Sequence, residues 1–165
     1  MVHELKMSPD AVKIITFDPA YAGAFAELNY QWIEQSYGIE PHDREVLDHP
    51  FVSVVAPGGE IFFALVGESV AGTVAMIRMD DEHFELAKMA VSPAFRGHGV
   101  GAELMRACIE HARGNGAASI ILESNTKQEA AIRLYRKFGF VEVPLDPNSH
   151  FVRANIRMEL DLGVG

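Results

Sequence analysis

The sequence predicts an α/β chain of the α+β type, with a mixed, mostly antiparallel central sheet of about six to seven strands and about four flanking helices. Two observations predict this fold class. In the first half, short apolar runs alternate with turn signals, as in an antiparallel meander. In the second half, a strand, a glycine loop, a helix and another strand follow in the order of one βαβ crossover. The 165 residues, 48% of them hydrophobic, suffice for one core, so a single domain over residues 1–165 is expected.

The N-terminal part predicts one strand and two helices. Residues 12–16 form a short apolar run typical of a strand. Asp18 and Pro19 indicate the start of a helix, and Gly38 indicates its end. The apolar positions of that helix recur at helical spacing, at Phe25, Leu28, Trp32 and Ile33. A shorter helix is expected over residues 42–47, because Pro41 precedes it and acidic residues fill its first turn.

A three-strand meander is expected next. Residues 61–66 and 70–79 flank a Gly-Glu-Ser turn, which is a hairpin signal, and an acidic turn leads into a strand over residues 83–91. The segment before them, residues 50–59, stays ambiguous between a strand and an apolar helical turn.

The C-terminal half predicts the crossover and a closing hairpin. The helix after the glycine loop ends at residues 114–116, and residues 119–123 form a buried strand. Residues 128–137 predict a helix with an apolar stripe. Residues 140–143 and 153–161 are expected to be two closing strands, joined by a loop at residues 144–150.

Composition excludes several classes of function. The formal net charge of -9 argues against nucleic acid or an anionic membrane as partner, because both require a basic surface. Cys108 is the only cysteine and the seven histidines show no metal-ligand spacing, so no disulfide or metal site is expected. The longest apolar run, residues 61–66, is far below a membrane span, and the N-terminus lacks a signal-peptide core, so a cytoplasmic protein is expected.

The most informative segment is the run Phe-Arg-Gly-His-Gly-Val-Gly at residues 95–101. Alternate glycines free the backbone to turn its N–H groups toward a phosphate, and the following helix adds its positive end. A dinucleotide-binding loop is an alternative, with Glu123 as the ribose-binding acid. Two details oppose it, because five residues separate the strand from the first glycine and the remaining chain is too short for a second mononucleotide half. The third interpretation is a plain connector.

Two motifs resemble the GNAT superfamily of N-acetyltransferases. Its Arg/Gln-x-x-Gly-x-Gly/Ala signature matches residues 96–101, and its Tyr and Gly-Phe at the end of a helix match the run Leu-Tyr-Arg-Lys-Phe-Gly-Phe at residues 134–140. Longer stretches are similar to a branch of small bacterial members, some of them fused to MarR-type regulators. One position departs from the pattern: the usual asparagine, seven residues before Tyr135, is Gln128, and Asn125 lies nearby.

The resemblance implies the GNAT fold and acetyl-CoA as the acetyl donor. Its pyrophosphate is expected on the loop backbone, with Arg96 beside the phosphates, and its pantetheine along the end of the fourth strand. The cofactor-binding residues implied are Met89, Ala90, Val91, Arg96, Gly97, His98, Gly99, Val100, Gly101, Asn125, Gln128 and Ala131.

The resemblance also implies two catalytic residues. Glu85 is expected to be the general base, on an apolar strand face shared with Ala87, Met89 and Val91 that would raise its pKa. The alternative is a solvated carboxylate at a strand end. Tyr135 is expected to be the general acid toward the departing thiolate, the alternative being a packing tyrosine. Backbone N–H groups of residues 89–91 would stabilise the oxyanion, which requires a bulge in that strand.

The acceptor is expected between the first two helices and the last loop. Tyr30, Trp32 and Tyr37 would contact its apolar part, Glu40 and Asp43 its ammonium, and Arg153 a carboxylate. His98 and His150 are more readily explained as loop residues. The predicted activity is acetyl transfer to a primary amine of a small molecule or peptide, and a homodimer is compatible with the sequence. A non-catalytic CoA-binding or sensor domain is the alternative, and a nucleotide-dependent oxidoreductase is a distant third.

Overall fold

The computed structural model describes residues 12–149 and 151–163. Within them a seven-stranded sheet has the order β1-β2-β3-β4-β5-β7-β6, which confirms the predicted fold class. The strands are β1 (Lys13–Ile15), β2 (Glu60–Val66), β3 (Ser69–Arg78), β4 (His83–Val91), β5 (Ser119–Ser124), β6 (Val141–Val143) and β7 (Ile156–Asp161). β7 begins three residues later than the sequence predicts, because the chain from Arg153 to Asn155 turns away to contact other elements.

Four α-helices flank the sheet in the described part of the chain: α1 (Ala22–Ser36), α2 (Pro41–Asp48), α3 (Val100–Gly114) and α4 (Glu129–Lys137). Asp18 caps a single 3-10 turn at Pro19–Tyr21, so α1 itself begins only at Ala22. The ambiguous segment is a turn of π-helix, Phe51–Val55. Gly59 follows it where a Cβ would lie 2.3 Å from the Met76 carbonyl oxygen, so only glycine fits there.

Helices cover both faces of the sheet, and each face has its own core. On one side α3 and α4 pack on the sheet through residues such as Leu104, Cys108 and Tyr135, together with Phe84 and Leu86 of β4. On the other side α1 and α2 pack through Phe25, Ile33, Val46 and Leu47. The alternation of each strand therefore decides which helices a side chain meets.

β4 and β5 form the parallel pair of the crossover, and this pair is short. It extends from His83 opposite Ser119 to Glu85 opposite Ile121. Beyond that point β4 stays paired with β3, and β5 stays paired with β7, but the two strands separate from each other. The sheet consequently has an internal gap at the carboxyl ends of β4 and β5.

Two sequence expectations concern parts of the chain outside the described residues. One is the expectation that the N-terminus lacks a signal peptide, which concerns residues 1–11. The other is the interpretation of His150 as a loop residue. Among the residues that are described, no helix combines the length and apolar character needed to cross a membrane.

Candidate active site

A cleft of about 700 Å³ opens at the gap between β4 and β5. Its walls come from the end of α1, from β4, from the glycine loop with the start of α3, from the segment joining β5 to α4, and from the chain before β7. Of the site residues that the sequence predicts, those lining the cleft are Trp32, Tyr37, Glu85, Met89, Ala90, Val91, Arg96, Gly97, Gly99, Val100, Gly101, Asn125, Gln128, Ala131, Tyr135 and Arg153.

The cleft has two chemically different halves. The part that we call the glycine-loop half is formed by Met89, Ala90, Val91, Arg96, Gly97, Gly99, Val100, Gly101, Ala131 and Tyr135. The other part lies toward α1 and α2, and we call it the charged half. It is formed by Trp32, Tyr37, Glu85, Lys88, Glu123, Phe151 and Arg153.

The glycine-loop half presents a row of backbone donors. Gly97 and Gly99 have φ values of 79° and 77°, a left-handed conformation that glycine adopts without steric cost. Within residues 12–149 and 151–163, the N–H groups of residues 97–101 donate no hydrogen bond to the protein. A Cβ on Gly97 or Gly99 would meet nothing within 4 Å. With the positive end of α3 beside it, this open row of donors fits a pyrophosphate.

β4 contains the bulge that oxyanion stabilisation by this strand requires. Thr73 pairs with Ala90 and Ala75 with Ala87, so Val74 alone lies opposite both Lys88 and Met89. Lys88 has a φ of 56°, a conformation that costs a non-glycine residue about 1 kcal/mol or more. The extra residue reverses the alternation of the strand.

The bulge corrects the predicted strand face of Glu85. Phe84 and Leu86 belong to the core under α3, and Met89 and Val91 pack against that same core. Glu85 therefore faces α1 and α2, while Met89 and Val91 face the opposite side. The prediction that these residues share one face with Glu85 is wrong, because it assumed an unbroken alternation.

Tyr135 lies at the base of the glycine-loop half. It is 7% exposed and its ring packs 5.9 Å from that of Phe140. Burial raises its pKa to about 12, with a smaller contribution from nearby Cys108, so the hydroxyl stays protonated at neutral pH. No hydrogen bond to this hydroxyl is formed within the described chain, and it remains available to a ligand in the cleft.

The charged half is organised around a buried carboxylate, Asp43. It is completely buried and receives the Lys88 ammonium at 2.6 Å and the Arg153 guanidinium at 2.6 and 2.8 Å. Although burial alone would raise the pKa of Asp43, the hydrogen bonds from Arg153 and Lys88 outweigh it and hold the pKa well below its usual range. Burial lowers the pKa of Lys88, and Asp43 only partly opposes that shift.

These ion pairs change the assignment of three predicted acceptor residues. Asp43 is not among the residues lining the cleft, and its oxygens are occupied by Lys88 and Arg153. Glu40 accepts the Val152 N–H at 3.1 Å and contacts Arg153 at 3.3 Å. Arg153 is expected from the sequence to bind a carboxylate of the acceptor. In the structure both of its terminal nitrogens donate to Asp43 instead.

The loop before β7 closes one side of the charged half. Ser149 donates to Glu123 of β5 at 2.7 Å, and Asn125 donates to the Arg153 carbonyl at 2.8 Å. Phe151 lines the cleft, with the Lys88 nitrogen 4.3 Å and the Arg153 guanidinium carbon 4.2 Å from its ring centre. The loop is therefore held both to β5 and to α2.

Glu85 and Glu123 project from the same face of the sheet. Glu85 pairs with Ile121, and Glu123 lies two residues further along β5. Ile120 and Leu122 point into the core under α3, so strand alternation directs Ile121 and Glu123 toward α1 and α2. Two carboxylates thus belong to the charged half.

The remaining predicted residues divide between the cleft and its outside. Trp32 lines the cleft, and its indole N–H is held at 3.0 Å by the buried Asn29. Gln128 donates to the Tyr37 hydroxyl at 3.2 Å. Tyr30 lies outside the cleft, where its hydroxyl contacts Asp48 at 2.6 Å. His98 is not among the cleft-lining residues either, although its backbone belongs to the loop.

Sequence reasoning does not assign Lys88 or Glu123 to this site, and it includes Phe151 only as part of the loop expected to wall the acceptor pocket. A lysine within the apolar strand Leu-Ala-Lys-Met-Ala-Val is one signal that could have found it, because a buried lysine requires a partner. Phe151 has no comparable signal. Glu123 enters the sequence argument only as the acid of a dinucleotide fold.

A known protein family matches most of this chain. The family model described as the Acetyltransferase (GNAT) family matches residues 26–140. The chain belongs to this family. The match covers the glycine loop and α4 and ends at Phe140, so Phe151 and Arg153 of this GNAT chain lie beyond it.

Individual relatives extend the comparison. An uncharacterized protein of Mycobacterium leprae is 31% identical over 140 residues, covering 84% of this chain and 37% of its own length. A GNAT acetyltransferase from Staphylococcus aureus has a TM-score of 0.84 at 21% identity, covering 93% of this chain and 100% of that chain. A protein of Salmonella typhimurium, solved with its cofactor acetyl-CoA, has a TM-score of 0.75 at 21% identity, covering 93% and 95%. Both structures show the fold.

Curated relatives named N-acetyltransferases also match this chain. They match over 46% to 50% of its length. The chain spans 37% to 46% of the length of the curated relatives compared with it.

Proposed function

We propose that this GNAT protein is an acetyl-CoA-dependent N-acetyltransferase that acts on a primary amine of a small molecule or a peptide. One observation carries the proposal: within the described residues, a single cleft is lined both by Gly97, Gly99, Val100 and Gly101, whose N–H groups have no partner, and by Tyr135, whose hydroxyl has none. Relatives named N-acetyltransferases support the same activity.

The glycine-loop half holds the donor. N–H groups of residues 97–101 donate to the pyrophosphate, and Arg96 lies beside it, each charge-assisted contact contributing about 1.5 to 3 kcal/mol. The backbone of residues 89–91 binds the pantetheine arm and donates to the acetyl carbonyl oxygen. Acetyl-CoA, when bound, supplies an acetyl group activated as a thioester.

Glu85 and Tyr135 move the protons. Glu85 accepts the proton that the amine loses, either directly or through one water. Tyr135 donates from the opposite side of the gap, toward the sulfur of the departing thiolate. Its pKa of about 12 ensures that the hydroxyl carries its proton at neutral pH.

The charged half receives the acceptor. Trp32 and Tyr37 contact its apolar part, and the Asn29 side chain fixes the orientation of the indole. Glu85 and Glu123 favour a cationic amine at the mouth of the gap. Asp43 and Glu40 have no direct role in this proposal, because their carboxylates are already paired.

The test is incubation of the purified protein with acetyl-CoA and a panel of amines, with release of free thiol as the readout. Amine-dependent thiol release is expected. Acetyl-CoA binding by calorimetry without thiol release on any amine would instead indicate a non-catalytic CoA-binding domain. Absence of acetyl-CoA binding would remove both functions.

Tyr135→Phe tests the assigned acid. We expect kcat to fall by at least about 100-fold, because general acid assistance contributes on this order, while the melting temperature stays nearly constant. Tyr21→Phe is the matched control, since that ring packs 5.5 Å from Phe63 in the other core. Equal kcat values for the two variants would remove Tyr135 from the mechanism.

A further inference from the structure

The bulge in β4 has an unusual backbone conformation. Lys88 is the one non-glycine residue with a positive φ among residues 12–149 and 151–163. It lies at the point where the alternation of side chains along β4 reverses, so that Glu85 and Met89 face opposite sides of the sheet. This is also where the gap to β5 opens.

The Lys88 side chain is buried and is held by two contacts. Its side chain is 4% exposed, and its nitrogen donates to Asp43 at 2.6 Å. The Phe151 ring lies on the same nitrogen at 4.3 Å. Separating a buried ammonium from its counterion strongly destabilises the folded protein. The Lys88 nitrogen is therefore confined to its position beside Asp43.

Confinement of the nitrogen restrains the backbone that carries it. Asp43 is fixed independently, because Arg153 binds both of its oxygens and the Glu40 N–H donates to it at 2.8 Å. The side chain of Lys88 therefore connects the bulge to a rigid point on α2. An alanine there would keep the steric cost of the left-handed conformation and lose the tether, whereas a glycine would remove that cost.

We propose that Lys88 is a positioning residue: its ion pair with Asp43 holds the left-handed bulge and thereby aims the backbone N–H groups of Met89 and Val91, on the edge of β4 that faces away from β3, into the gap. The inference rests on the proposed function, which assigns those groups to the acetyl donor. It explains why a lysine occupies a position that favours glycine. The orientation of the N–H groups of β4 thus depends on the ion pair that Lys88 of the charged half makes with Asp43.

The experiment compares Lys88→Ala with Lys88→Gly. In both variants Asp43 keeps Arg153 as its counterion, so both are expected to fold, which thermal melting checks. For Lys88→Ala we expect kcat to fall roughly 30-fold, since a displacement of about 1 Å costs up to 100-fold. For Lys88→Gly we expect a loss of no more than about 3-fold, because the glycine adopts the bulge unaided.

A second readout does not depend on turnover. In the wild type, backbone amide resonances of residues 89–91 are expected to shift on addition of acetyl-CoA. Lys88→Gly should reproduce these shifts and Lys88→Ala should not, even if no amine is acetylated. A wild type without thiol release would end the proposed function but leave this comparison readable. Equal behaviour of the alanine and glycine variants in the amide shifts would overturn the positioning role.

Discussion

The two halves of the cleft present different chemical groups to a ligand: backbone N–H groups in one half and side chains in the other. The glycine-loop half offers backbone N–H groups that have no partner in the described protein, whereas the two cations of the charged half are already paired with Asp43, which does not line the cleft. The first is therefore complementary to an anion before any ligand arrives. In the second, both cations are already bound by carboxylates of the segment at Glu40 and Asp43, and these ion pairs hold the bulge and the loop before β7 in place.

The largest effect is expected from breaking the glycine-loop half. Gly99→Glu places a carboxylate and a strained φ where the phosphates are proposed to bind, so acetyl-CoA binding should weaken by more than about 100-fold. Calorimetry measures the affinity. Gly67→Glu is the matched control, since Gly67 also has a positive φ and a Cβ there would meet no atom within 4 Å, but it lies in the β2–β3 turn. Unchanged affinity in folded Gly99→Glu would contradict the pyrophosphate site.

The next effect concerns the charged half and is expected in stability. Asp43→Asn leaves the buried Lys88 without the carboxylate to which it donates, and leaves Arg153 with Glu40 alone, so the free energy of unfolding should fall by about 3 kcal/mol at neutral pH. Urea unfolding measures it. Asp81→Asn is the control, because its pair with Arg78 is on the surface with the Asp81 side chain 98% exposed, and a change within about 0.5 kcal/mol is expected there.

The same variant has a predicted pH dependence. The pKa of Asp43 lies well below its usual range in the folded protein, and the unfolded chain has the ordinary value of about 3.9. The stabilisation by Asp43 is thus complete above that value and is lost as pH falls below it. The stability difference between wild type and Asp43→Asn should shrink below about pH 4. A constant difference would show that the ion pairs are not its source.

The smallest effect concerns selectivity between related acceptors. Because Asp43 holds both Lys88 and Arg153, an acceptor carboxylate finds these cations occupied and meets Glu85 and Glu123. We expect kcat/KM for tyramine to exceed that for tyrosine by about tenfold, equivalent to roughly 1.4 kcal/mol. A preference for tyrosine would restore Arg153 as the carboxylate clamp that the sequence suggests.

The sequence was sufficient for the fold and for locating the glycine loop. Strand and helix order follow from local apolar patterns, and the family recognised from two motifs is confirmed. The glycine loop could be located because alternate glycines in a sequence indicate a backbone that adopts left-handed conformations. The roles of Glu85 and Tyr135 stay predictions.

The charged half could not be predicted for a physical reason. Asp43 and Arg153 are 110 residues apart in the chain, and each is an ordinary charged residue in its local context. The bulge at Lys88 lacks the glycine that usually signals one. Without that signal, strict alternation places Met89 on the face of Glu85, and Arg153 looks free to bind a ligand.

Cys108 illustrates how the packing of α3 affects measurement as well as mechanism. It is the only cysteine in the chain, fully buried, and burial raises the pKa of its thiol. The folded protein should be silent toward thiol-reactive dyes, so the colour formed in a turnover assay reports coenzyme alone. Once α3 lifts from the sheet the same thiol becomes reactive, and its labelling rate then measures how often that core opens.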